Sequence, residues 1–95
     1  MSRRELENEV IRFLNELAYT LRAKILYELS ESENYRVTLK ELNGRVSSSL
    51  QVLAFHLDSL EKLGLVRIMR GKEVIIELTD KGRNFINNVK TLYSN

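Results

Sequence analysis

The chain has 95 residues, a net charge of +2, no cysteine and no proline. That length bounds it to one domain with a modest core. The absence of cysteine excludes a disulfide framework, a thiolate metal site and a cysteine nucleophile. A single histidine, His56, is too few for a Cys/His zinc site within one chain. No apolar run approaches the roughly 18 residues that span a bilayer. The N-terminus MSRRELENEV is charged and amphipathic, unlike a signal peptide, so a cytoplasmic protein with no membrane partner is expected. Charge is unevenly placed. Residues 1–33 carry five basic and seven acidic side chains, whereas residues 34–95 carry ten and six. Any basic footprint therefore belongs to the second part.

In chain order, SRRELENEVIRFLNELAY predicts a helix with Leu6, Val10, Phe13, Leu14 and Leu17 on one face, opened by a Ser2/Glu5 capping box. TLRAKILYELS predicts a second helix aligning Leu21, Ile25, Leu26 and Leu29, and ESENY a polar loop. YRVTLKELNGRV reads as a short extended lead-in and a helix capped by Thr38 with Glu41. Gly44 is its expected terminator, because glycine takes the left-handed conformation at no steric cost. SSS opens the next helix, where Ser48 and Gln51 repeat the capping spacing, and Gly64 ends it. The period then changes from helix to strand. Val66 and Ile68 alternate with Arg67 and Met69, and Val74, Ile76 and Leu78 with Ile75 and Glu77, about a turn centred on Gly71. TDKGRNFINNVKTLY closes the chain as an amphipathic helix grouping Phe85, Ile86, Val89 and Leu92.

Helices followed by a hairpin and a last helix give a mainly α chain with a small β-hairpin (α+β). The expected architecture is a single winged helix-turn-helix domain over residues 1–95 with extra N- and C-terminal helices. Its parts are an N-terminal helix at 1–17, a helix-turn-helix at 38–63, a wing at 65–78 and a C-terminal helix at 80–93. At about 100° per residue, Leu50, Leu53, Leu57 and Leu60 make the stripe that anchors the second helix of the turn motif. Ser48, Gln51, Val52, Phe55, Ser59 and Lys62 face the other way. Such a face suits a major groove: serines bond bases or phosphates, Gln51 can pair with an adenine edge, and Val52 can touch a thymine methyl. Phe55 is an aromatic ring where a polar residue is expected. The lone His56, flanking the anchor stripe, reads as a structural hydrogen-bonding residue. Asp58 opposes phosphate and is expected beyond the groove or beside a cation. On the wing, Arg67, Arg70 and Lys72 concentrate positive charge, with Lys40 and Arg45 near the turn.

No nucleophile–base pair and no phosphate-binding glycine loop is visible, so no enzyme, cofactor or metal is expected. The expected partner is double-stranded DNA. Bases would be read by Ser48, Ser49, Gln51, Val52 and Phe55. The backbone would be clamped by Thr38, Lys40, Arg45, Arg67, Arg70 and Lys72, with Ser47 at the turn completing the surface. Four phosphates per subunit of a dimer would give a log–log salt slope of roughly −7. A protein–protein interaction module without DNA binding is the competing reading, and the exposed Phe55 favours it.

Four segments carry a family resemblance. HLDSLEKLGLV, from His56 to Val66, resembles the end of the recognition helix in ArsR-type winged-helix repressors. LAYTLRAKILYEL resembles that family's opening helix, with Ala18-Tyr19 in place of the usual Asp-Pro. TLKELNGRV resembles the first helix of its turn motif, and ELTDKG the junction after its wing. The match covers about residues 17–83. It implies a homodimeric transcriptional regulator, a repressor that dimerises through its terminal helices, and the large apolar residues there agree. Leu6, Val10, Phe13, Leu17, Phe85, Val89 and Leu92 are the interface candidates. The family's metal-sensing cysteines and histidine clusters have no counterpart here, so metal sensing is not implied.

Overall fold

A computed structural model describes residues 2–5, 8 and 21–94 of the chain. At the N-terminus, residues 3–5 are helical, and Glu5 N–H donates to Ser2 Oγ at 3.1 Å, one half of the expected box. Most of the predicted first helix, including Leu6, Val10, Phe13 and Leu17, lies outside the described residues.

Helix α1 (Leu21–Ser30) buries Ile25, Leu26 and Leu29, the face its spacing predicts, with Leu21 packed at the edge of the core. The following loop closes on a tight turn. Asn34 and Tyr35 both take positive φ, 56° and 59°, and Arg36 N–H bonds Glu33 O. The extended lead-in is then a true strand, β1 (Arg36–Thr38).

Helix α2 (Leu39–Val46) starts as predicted: Thr38 Oγ1 accepts from Glu41 N–H at 3.1 Å and donates to the Glu41 carboxylate at 3.2 Å. It does not stop at Gly44. The helix runs on to bury Val46, and the left-handed residue that ends it is Ser47, φ 50°. Packing of Val46 outweighs the roughly 0.5–1 kcal/mol that a glycine costs inside a helix. Helix α3 (Leu50–Lys62) is capped by Ser49, not Ser48, with Val52 N–H donating to Ser49 Oγ at 3.2 Å. It ends as expected at Gly64, φ 77°.

Strands β2 (Val66–Met69) and β3 (Ile75–Leu78) form the hairpin, joined by a loop that includes Val74. The sheet has three strands, in the order β1-β3-β2, all antiparallel. Its rows alternate. Val37, Ile76 and Ile68 stand in one row facing the core, while Arg36, Glu77 and Arg67 stand side by side on the outer face. Helix α4 (Asp80–Ser94) opens on Thr79, whose Oγ1 accepts from Gly82 N–H at 3.0 Å and donates to Gly64 O at 2.6 Å. Gly82 is required there: a Cβ would fall 2.0 Å from Leu65 O. Leucine, isoleucine and valine side chains from all these elements share one core, and no polar or charged residue is buried among the described residues.

Candidate nucleic-acid interface

The α2–turn–α3 unit is set on the core through α3. Leu53, Leu57 and Leu60 are buried, so three of the four predicted anchors hold. Leu50 does not: it is 54% exposed. Its azimuth on the helix is right, but it is the first helical residue and projects past the edge of the core. The opposite face is open. Gln51 is exposed, Val52 is 47% and Phe55 65% exposed. Val52 and Phe55 thus share the open face as predicted, while Leu50 is an exposed apolar residue at the start of the anchoring stripe. Ser47 and Ser49 are exposed and Ser48 half-buried, but each has a local task. Ser47 takes the left-handed turn, Ser49 caps α3, and Ser48 Oγ donates to Ser49 O at 3.2 Å. Further along, Asp58 pairs with Lys62 at 3.0 Å, the basic partner expected for it, and Ser59 Oγ donates back to Phe55 O at 3.2 Å.

His56 is half-buried and its Nδ1 accepts a hydrogen bond from Arg22 Nε on α1 at 3.0 Å. This is the structural role its flanking position suggested. The imidazole also meets the Phe55 ring edge-on, with centroids 5.4 Å apart and planes at 77°.

The wing is tied to α3 by one carboxylate. Glu61 accepts from Ile68 N–H at 3.2 Å and lies 3.9 Å from the Arg70 guanidinium. Lys81 Nζ donates to Leu63 O at 2.8 Å, so α4 also grips the end of α3. The predicted phosphate clamps fall into two groups. Arg67 pairs with Glu77 at 3.0 Å, and Arg36 pairs with the same carboxylate. Arg45 donates to Ser32 Oγ at 3.0 Å and lies within 4 Å of Glu28 and Glu41. These two arginines are thus engaged within the chain. Lys40 and Lys72 are exposed and have no carboxylate partner among the described residues, and Arg70 is held only loosely.

Of the C-terminal interface candidates, Phe85 and Val89 pack against the chain's own core, while Leu92 is exposed. Sequence reasoning missed Leu50 as an exposed residue, Arg22 as the partner of His56, and Glu61 as the bolt between helix and wing. Only the last had a local signal, a carboxylate near the end of α3 one turn before the strand. No helix among the described residues is long and apolar enough to cross a membrane.

No family model matches the chain, and no curated protein matches it. Solved structures do. The chain is similar to AbsC, a MarR family transcriptional regulator from Streptomyces coelicolor, with TM-score 0.74 and 25% identity over 93% of this chain and 63% of AbsC. It is similar to a second MarR family regulator of that organism, solved in complex with DNA, with TM-score 0.75 and 24% identity over 96% of this chain and 61% of the other. Reduced AbfR bound to DNA superposes with TM-score 0.72 and 25% identity over 96% of this chain and 68% of AbfR. The chain therefore spans about two thirds of the length of these proteins, or slightly less. Its fold is the winged helix-turn-helix found in the MarR-family regulators.

Proposed function

We propose that the chain is a sequence-specific, double-stranded DNA-binding transcriptional regulator that acts as a homodimer. The observation that carries this reading is the open face of α3. Gln51, Val52 and Phe55 project from its N-terminal half, rigidly anchored behind by three buried leucines. An exposed apolar group on an ordered helix marks a contact surface. Here it stands on a fold whose neighbours include two proteins solved with DNA. In a major groove Val52 and Phe55 meet thymine methyls and Gln51 an adenine edge. Lys40, Arg70 and Lys72 meet the backbone. Paired recognition helices would enter successive major grooves, about 34 Å apart, and a dimer seated on a promoter would repress by occlusion.

The ArsR-type resemblance is the finer version of this reading. Leu57, Leu60, Leu65 and Val66 of its HLDSLEKLGLV stretch are buried, and Gly64 makes the left-handed stop. These residues build the winged helix, a requirement that ArsR-type and MarR-family chains share. The stretch therefore supports the fold more strongly than the branch.

The pairing of Arg45 and Arg67 within the chain lowers the expected electrostatic count. About three available cations per subunit give a dimer a log–log salt slope of roughly −5, instead of −7. The test is binding to a palindromic duplex from the protein's own promoter and to random duplex over a salt series. Preference for the first with a slope near −5 supports a regulator. Equal binding to both removes sequence reading. Binding to neither leaves the apolar face of α3 to a protein partner.

A further inference from the structure

We propose that Arg22 is a positioning residue for sequence reading: it fixes the Phe55 ring, through His56, on the open face of α3. The inference rests on the DNA reading above and names a residue that lies off the face itself.

An exposed ring at helix position 55 has several rotamers open to it, and each would present a different edge to a base pair. Among the described residues, one ring meets it. The His56 imidazole stands edge-on to the ring at 5.4 Å and 77°. The imidazole is itself restrained: Arg22 Nε–H reaches Nδ1 at 3.0 Å from a different helix. This bond does what the surrounding core does not. The leucine contacts between α1 and α3 are non-directional, so they hold the helices together without setting the rotation of a side chain. A guanidinium bond to one ring nitrogen does set it, and it selects the form in which Nδ1 is the acceptor. The chain of contact runs from α1 to Arg22, His56 and Phe55, so a half-buried bond orders an exposed ring before DNA arrives. Order of that kind raises affinity by removing a cost of binding.

The test combines a spectroscopic and a binding measurement on the full chain. His56 is the only histidine, so ¹⁵N-histidine labelling gives one unambiguous imidazole. The wild type should show an acceptor Nδ1 and ring-current shifts of the imidazole protons from Phe55, both lost in Arg22→Ala and restored in Arg22→Lys. For the promoter duplex, Arg22→Ala should weaken binding about tenfold, within the range of one lost base contact, with random-duplex affinity and salt slope unchanged. In a Phe55→Ala background the same substitution should cost less than twofold, because its effect passes through the ring. Additive losses, an equal loss on random duplex, or unchanged imidazole shifts in Arg22→Ala would each overturn the proposal. If Arg22→Ala does not fold at assay temperature, Arg22→Met, which keeps the apolar stem and removes the donor, carries the same comparison, with the same tenfold loss and lost shifts expected and wild-type affinity overturning the proposal. If the wild type binds no duplex, the DNA reading fails separately, and the ring-current result alone decides whether Arg22 holds the ring.

Discussion

At the scale of single residues, the structure separates side chains that hold the fold from side chains the fold displays. Phe55 is displayed. Phe55→Ala should leave the thermal midpoint within about 2 °C of wild type, since an exposed site contributes within about 0.5 kcal/mol, while sequence-specific affinity falls. A cooperative loss of structure in this variant, seen by circular dichroism, would place the ring in the core instead. Gly82 is the opposite case. With Leu65 O 2.0 Å from the position of a Cβ, Gly82→Ala must push helix α4 off the sheet. It should destabilise by about 1–3 kcal/mol in urea unfolding. Gly44 gives the third contrast. It lies inside α2 with nothing within 4 Å of its missing Cβ, so Gly44→Ala should stabilise by about 0.5–1 kcal/mol. The sequence marked Gly44 and Gly64 alike as helix stops. Only the second is one, because Val46 lies beyond the first and needs the helix to bury it. A glycine states that a turn is permitted, and the core decides whether it is taken.

At the scale of elements, caps and periods were legible and register was less so. The Thr38 cap, the end of α3 at Gly64 and the buried faces of α1 and α3 follow from local spacing. The start of α3 does not, because three successive serines offer three caps and only the fit of Leu53 against the core selects Ser49. Ser49→Ala should therefore cost about 1 kcal/mol, and Ser48→Ala far less, in paired denaturation curves. Leu50 failed for a related reason: angular spacing counts azimuth and ignores where the core ends. Strand β1 was too short to signal itself, since three residues cannot establish an alternation. On the wing, Arg70→Ala with Lys72→Ala should weaken DNA binding and make the salt slope shallower by about 2 per subunit, with sequence preference kept. Lost preference at an unchanged slope would assign base reading to the wing.

At the scale of the whole molecule, the candidate site is assembled from distant segments. Helix α3 supplies the proposed reading face, Glu61 couples it to the wing, and Arg22 reaches His56 on it from a helix more than thirty positions earlier. Sequence spacing placed the face but had no means of finding those links, which exist only after folding. The sheet has a consequence of its own. Strand β3 lies between β1 and β2, yet it is made last. Until residues 75–78 leave the ribosome, the two earlier strands have no hydrogen-bonding neighbour, and both flanks of the helix-turn-helix stay loose. Pairing of Arg36 with Glu77 spans about half of the described chain, the kind of long-range closure that slows folding. A nascent chain cut at Val74 would hold every residue of the reading helix and still lack the sheet that aims it. Completion of the central strand is thus the event that sets the proposed reading helix against a finished sheet.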